Sequence, residues 1–200
     1  MRQTKSKKER ILDIALKEFG EKGYNAASTN TIASWAGVSK GLIFYQHGSK
    51  KDLYLAVVQK CAEDLTSSLS ALAPAPDADF YETITKTAQG RTIFFSSHPL
   101  HLNILDEAFS RSPAELKAEL KQLEADVFDT ASLFEKFKQV PLASEALRDR
   151  AFELLMMTID YLQKKYARRS ADDPLGYSSF AELGEEVGQY IDLVMNGVRG

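Results

Sequence analysis

The sequence predicts an all-α protein: an N-terminal three-helix helix-turn-helix unit followed by a larger helical body, about nine helices in all. Three observations predict it. Apolar residues recur at helical spacing through most of the 200 residues, and strand-like alternation persists nowhere. The stretch 28–47 sets two short helical patterns around Gly37-Val38-Ser39. Charge is divided along the chain: residues 1–60 hold 11 Lys+Arg against 5 Asp+Glu (+6), leaving 14 against 23 (−9) for residues 61–200. A basic head on an acidic body suggests that the head meets a polyanion.

Composition narrows the class. Charged residues are 26% and hydrophobic residues 44%, the balance of a soluble globular protein. No stretch approaches the roughly 20 apolar residues of a membrane span, so no membrane role is expected. The basic N-terminus lacks the following apolar run of a signal peptide. Cys61 is the single cysteine, which excludes an intramolecular disulfide and a cysteine-rich zinc site. A cytoplasmic location is the simplest expectation.

Taken in order, residues 1–8 read as a flexible basic arm. Residues 9–22 form a helix with an Ile11, Leu12, Ala15, Leu16, Phe19 stripe, ended by Gly20 and Gly23; Tyr24 then packs beneath the motif. In the motif, Ser28 or Thr29 caps the first helix, whose Ile32, Ala33 and Ala36 share a face. Gly37 supplies a turn conformation that side chains resist. Ser39 caps a second helix carrying Lys40, Gly41, Leu42, Ile43, Phe44 and Tyr45, of a size and chemistry to enter a DNA major groove. Such corners also occur in α-proteins that never touch DNA; the charge division favours the DNA reading.

Ser49 and Asp52 resemble a capping box opening a helix to about Ala71, with Leu53, Val57, Cys61 and Leu65 along one side and Leu55, Val58 and Leu69 beside them. At about 30 Å, it can join head to body. Cys61 reads as a small apolar residue rather than a nucleophile. Ala73-Pro74-Ala75-Pro76-Asp77 reads as a linker. Residues 78–97 resume a helix, broken at Ser97-His98-Pro99, and 100–111 form another. Ser112-Pro113-Ala114-Glu115 signals the start of a single helix running from Leu116 through Phe137 to Pro141. Two further helices are expected over 144–168 and 179–197, the second opened by a capping box at Ser179 and Glu182. Leu154, Leu155, Met156 and Met157 would wrap around their helix, and Gly184 and Gly188 would permit close approach. That second apolar face implies a partner, and a symmetric four-helix homodimer interface is the economical one.

The run Ile32-Ala33-Ser34-Trp35-Ala36-Gly37-Val38-Ser39-Lys40-Gly41-Leu42-Ile43-Phe44-Tyr45, followed by Gly48-Ser49-Lys50-Lys51-Asp52-Leu53, resembles the head of TetR/AcrR-family transcriptional regulators. So does the helix from Arg10 that ends in Gly20-Glu21-Lys22-Gly23-Tyr24. The resemblance covers about residues 9–55; beyond it only the architecture agrees. It implies a repressor that binds a palindromic double-stranded DNA operator as a homodimer and releases it when a small molecule enters the body. It implies a DNA-binding domain over 1–50 and an effector-binding and dimerisation domain over 51–200. Thr29, Thr31, Tyr45 and Lys50 would contact phosphates, which supply affinity without sequence information. Ser39, Lys40, Gly41, Leu42 and Phe44 would approach base edges, Lys40 donating to guanine and Leu42 or Phe44 meeting a thymine methyl. His47 stands where the family usually has Phe, and would contact phosphate or pack on Tyr45; Trp35 stands where a polar residue is usual.

Candidate pocket residues are Phe94, Phe95, His98, Leu102, Phe109, Phe128, Met156, Tyr161 and Tyr177, a set suited to a small apolar or aromatic effector. Ordinary core packing is the alternative for each. Two other functions stay open: an architectural or cell-division DNA-binding factor without effector, and a metal-dependent enzyme or metal sensor using His98 and His101. Against the second, the sequence holds no HExxH, phosphate loop or nucleophile elbow, and Pro99 separates the two histidines. No cofactor, metal or catalytic residue is therefore expected.

Overall fold

The computed structural model describes residues 6–142, 145–172, 182 and 185–194. Among these, no strand occurs. The helices are α1 (Lys7–Ala26), α2 (Thr29–Ala36), α3 (Lys40–His47), α4 (Lys50–Ser70), α5 (Phe80–Ser97), α6 (Pro99–Ser110), α7 (Lys117–Phe128), α8 (Thr130–Phe137), α9 (Arg148–Asp172) and α10 (185–194). Single 3-10 turns, Ala114–Leu116 and Glu145–Leu147, precede α7 and α9.

Two compact units form, residues 1–64 with 100–127 and residues 65–99 with 128–200. In the first, α1 begins two residues earlier than the apolar pattern suggests. Ser6 and Glu9 make a reciprocal capping box that satisfies orphan amides at its start. The helix runs through Gly20, correcting the expectation that this glycine ends it. A Cβ at Gly20 would lie 3.0 Å from Leu100 Cβ of α6, so its smallness serves packing between helices. The kink falls at Gly23, whose φ of 74° suits a residue without Cβ. Ile11, Ala15 and Phe19 are buried, α1 packs against α2, and the Phe19 ring lies 5.1 Å from that of Tyr54 on α4. Tyr24 is buried with Phe19 and Tyr54, its ring 4.9 Å from that of Tyr54. Cys61 is fully buried, and burial pushes its thiol up to about 12, as an inert apolar residue requires.

The second unit is built on α5, which packs against α8 and α9. Phe80, Ile84 and Ala88 of α5 join Phe137, Val140, Leu155, Ile159 and Leu162 in one buried cluster that also takes Val187 and Ile191 of α10. Asp79 caps α5 through a bond from the Glu82 amide at 2.8 Å, and His98 closes it. Arg148 ties the start of α9 to the end of α8 by donating to the Phe137 and Val140 carbonyls at 2.7 and 3.0 Å.

The single helix expected over 116–137 is two helices. Asp129, at φ 39°, turns the chain left-handed, and its carboxylate accepts from the Ser132 amide at 3.3 Å to cap α8. Ser112 does not cap the preceding segment; the chain there enters a 3-10 turn through Pro113 without a side-chain cap. Ser179, Gly184 and Tyr177, singled out on sequence, lie outside the described residues.

Candidate nucleic-acid interface

Three small residues shape the corner. Ser28 Oγ accepts from the Thr31 amide at 3.4 Å, so Ser28 is the cap of α2 and Thr29 its first residue. Gly37 adopts φ 61°, ψ 40° and closes α2, its amide reaching the Ser34 carbonyl at 3.2 Å. Ser39 Oγ then accepts from the Leu42 amide at 3.2 Å and starts α3. Ile32, Ala33 and Ala36 of α2 and Ile43 of α3 are buried, which sets the angle at which α3 stands.

The opposite side of α3 is open. Ser39, Lys40 and Gly41 are exposed, Leu42 and Phe44 half-buried, and Tyr45 is 88% exposed. The Lys40 ammonium lies 5.6 Å from the centre of the Phe44 ring one turn on, a cation–π contact that holds both toward the same side. A Cβ built on Gly41 would meet nothing closer than Ser39 Oγ at 3.9 Å. Nothing among the described residues therefore requires glycine inside this helix. Thr29 and Thr31 are half-buried in the first turn of α2. Lys50, first residue of α4, donates to the Asn25 carbonyl at 3.1 Å and sits 5.1 Å over the Tyr24 ring. His47, grouped with the exposed set on sequence, is not on that surface. It lies one turn after fully buried Ile43, on the same face, and is itself 8% exposed.

The family model described as bacterial regulatory proteins, tetR family, matches residues 11–57. The helix-turn-helix activator FasR of Mycolicibacterium smegmatis is 33% identical over 97 residues, 44% of this chain and 44% of that protein. The dual regulator CecR of Shigella flexneri is 46% identical over 56 residues, 28% of this chain and 25% of that one. These matches are confined to the head, which is similar to that of the TetR family. The chain thus matches less than half the length of these relatives. A TetR-like transcriptional regulator from Rhodococcus sp. RHA1 shares the fold at a TM-score of 0.70 and 19% identity, over 94% of this chain and 97% of that one.

The helix-turn-helix corner is braced by two carboxylates that periodicity did not single out. Glu18 of α1 is fully buried, and its Oε1 accepts from the Ser28 amide at 3.0 Å and from Lys22 Nζ at 2.8 Å. Burial pushes its carboxyl up, but these two bonds together with the Lys22 and Lys50 charges outweigh burial and hold it below its ordinary value. Glu18 therefore ties α1 to the cap residue of α2. Glu107 of α6 accepts the Tyr24 amide on both oxygens, at 3.0 and 2.9 Å, and the Tyr54 hydroxyl at 3.2 Å. Burial, then the neighbouring Glu115 carboxylate, pushes the Tyr24 phenol up to about 12. The i,i+4 spacing of Glu18 and Lys22 was a readable signal; nothing local marks a residue 83 positions from its partner.

The nominated pocket residues are dispersed. Phe94 and Phe95 are buried on α5, rings 5.5 Å apart, and the His98 ring stacks on Phe94 at 4.4 Å. Phe128 carries the buried Arg91 guanidinium 4.2 Å over its face. Burial pulls Arg91 down to about 10. Met156 is half-buried against the core cluster, whereas Tyr161 is largely exposed. Leu102 is buried and Phe109 half-buried on α6. A cavity of about 230 Å³ in the second unit has a different lining, chiefly Leu69, Leu72, Pro74 and Lys86. His98 Nδ1 meets the Phe94 carbonyl at 2.9 Å, while His101 Nε2 pairs with Asp64 at 3.1 Å. Among the described residues no group of three or more metal-ligating side chains converges, and no helix is long and apolar enough to cross a membrane.

Proposed function

We propose that the protein is a DNA-binding transcriptional regulator, a ligand-responsive repressor that binds a palindromic operator as a homodimer. The observation that carries this reading is α3: a capped helix standing off a buried base, with Lys40, Gly41 and Tyr45 turned outward. Lys40, Leu42 and Phe44 read base edges, with Ser39 and Gly41 at the point of closest approach. Thr29, Thr31, Tyr45 and Lys50 hold phosphates. Lys50 must first leave the Asn25 carbonyl. Residues 1–50 act as the DNA-binding domain and 51–200 as the effector and dimerisation domain.

Dimerisation uses α9 and α10. Leu154, Met157 and Tyr161 lie on one line of α9 and are 51%, 65% and 63% exposed. Leu193 of α10 is also exposed, and a Cβ on Gly188 would meet nothing within 4 Å. Large apolar side chains left in water mark an association surface. A small apolar or aromatic effector binds the body among Phe94, Phe95, Phe128 and their neighbours and shifts the population toward a form whose heads are out of register.

Trp35, the sole tryptophan, is 49% exposed beside the motif, with Lys17 Nζ 5.3 Å from its ring. Its fluorescence reports binding. Titration with DNA from upstream of the protein's own gene is expected to give a saturable change at one dimer per site that survives excess random DNA. A change that is absent for every upstream fragment, or lost to random DNA, overturns the reading.

A further inference from the structure

His47 departs from its surroundings. It is the last residue of α3, nine-tenths buried, and its Nε2 has no hydrogen-bond partner among the described residues. Buried polar atoms are rarely left in that state, because a lost bond to water is not repaid. An aromatic hydrocarbon ring, the Phe that the family resemblance leads one to expect, would fill the same seat without the loss. The imidazole also lines a cavity of about 430 Å³ in the first unit. Facing it there are Lys8, Glu9 and Asp13 of α1 and Lys60, Glu63 and Asp64 of α4. Several of these charges have partners of their own. Glu9 accepts the Ser6 amide at 2.7 Å, Glu63 accepts from Gln59 at 2.9 Å, and Asp64 holds Lys60 at 3.0 Å and His101 at 3.1 Å.

We infer that His47 is a proton-operated switch of the DNA-binding helix: when protonated, its ring leaves the buried seat for the carboxylates across the cavity and takes the last turn of α3 with it. The neutral ring suits the seat, where it is short of one hydrogen bond. The charged ring does not, because an imidazolium there is desolvated and faces the Lys8 ammonium. Both effects hold His47 below the ordinary histidine value, burial first and Lys8 second. The C-terminal dipole of α3 favours the cation, but burial prevails. The sign follows from linkage. A histidine whose folded value lies below its free value of about 6.5 leaves the closed head undisturbed well above that pH. The penalty grows as pH falls through 6.5 and is complete below the folded value. The open form then binds the proton in preference. For DNA this sign is distinctive, since a surface histidine gaining charge beside a polyanion tightens binding on acidification, whereas His47 weakens it.

The inference rests on the DNA-binding reading, so its first measurements use no DNA. In the full-length protein, the His47 imidazole Cε1–H resonance is followed from pH 8 to 5, and the thermal midpoint is measured at pH 7.5 and 5.5 for wild type, His47→Phe and His47→Gln. Titration below 6.5, with a larger acid-induced fall in midpoint for wild type than for either variant, is expected. Titration at or above 6.5, or equal falls in all three, overturns the inference. The glutamine variant decides the comparison if the phenylalanine variant does not fold. Affinity for an operator fragment at constant ionic strength is then expected to weaken in wild type over the same interval and to change little in the variants. Equal weakening in all three also overturns it. Absence of DNA binding at every pH instead defeats the DNA-binding reading, and the resonance and midpoints still decide His47.

Discussion

The outer faces of α3 and α9 both leave large side chains in water, with opposite chemistry. On α3 the exposed Tyr45 stands near Lys40 and Gly41, in a head of net positive charge. On α9 the exposed Leu154, Met157 and Tyr161 follow one another along a single line of an acidic body. Exposure alone does not separate these cases. The neighbours do: ammonium, hydroxyl and bare backbone suit a polyanion with grooves, whereas contiguous aliphatic and thioether surface suits another apolar surface.

Four variants can break or sharpen that contrast. The largest effect is expected from Leu154→Asp with Met157→Asp, which puts two carboxylates on the apolar line. Sedimentation should show a monomer. Affinity for a fragment with two half-sites should fall by about 10²–10⁴-fold, the scale set by losing a linked second contact. A double variant that remains a dimer removes α9 from the interface. Next, Lys40→Ala should lose about 1–3 kcal/mol of discrimination at one base position, read by a panel of single-base operator variants. Equal weakening across the panel would make Lys40 a phosphate contact. Lys50→Ala should weaken all sequences alike and make the plot of log affinity against log salt shallower by about one ion per head. An unchanged slope means that Lys50 stays with the Asn25 carbonyl. The smallest effect belongs to Gly41→Ala. Alanine should stabilise the helix by about 0.5–1 kcal/mol, raising the thermal midpoint by no more than about 2–4 °C, while binding weakens because the added methyl occupies the space of closest approach. A variant that is both more stable and equally tight would show that the open space at Gly41 meets no partner.

How far these elements could be read in advance depended on where their causes lie. Ser28, Gly37 and Ser39 act within four residues of their own positions, so the corner they make was readable from spacing and side-chain chemistry. The break between α7 and α8 was not. Leu116, Leu120 and Val127 before it and Phe134 and Phe137 after it continue one apolar rhythm, and periodicity is blind to a single left-handed residue such as Asp129. Gly20 read as a stop because glycine commonly ends helices. Its actual constraint is Leu100, eighty positions on. The pocket residues share a composition suited to an apolar ligand, yet composition carries no coordinates; Tyr161 faces water while Phe94 and Phe95 face the core.

By itself the sequence determined the helical class, the caps and glycine of the helix-turn-helix and the basic head. Each follows from hydrogen bonds, φ/ψ limits and 3.6-residue spacing within a turn or two of chain. Tertiary structure alone decided which charges are buried and what meets them. Glu18 is held by the Ser28 amide ten residues away, and Glu107 by Tyr24 eighty-three away. His47 became a buried imidazole with an unpartnered Nε2 beside a cavity that residues of α1 and α4 line. Desolvation is a property of everything within a few ångströms, whatever its position in the chain, and no local pattern encodes it.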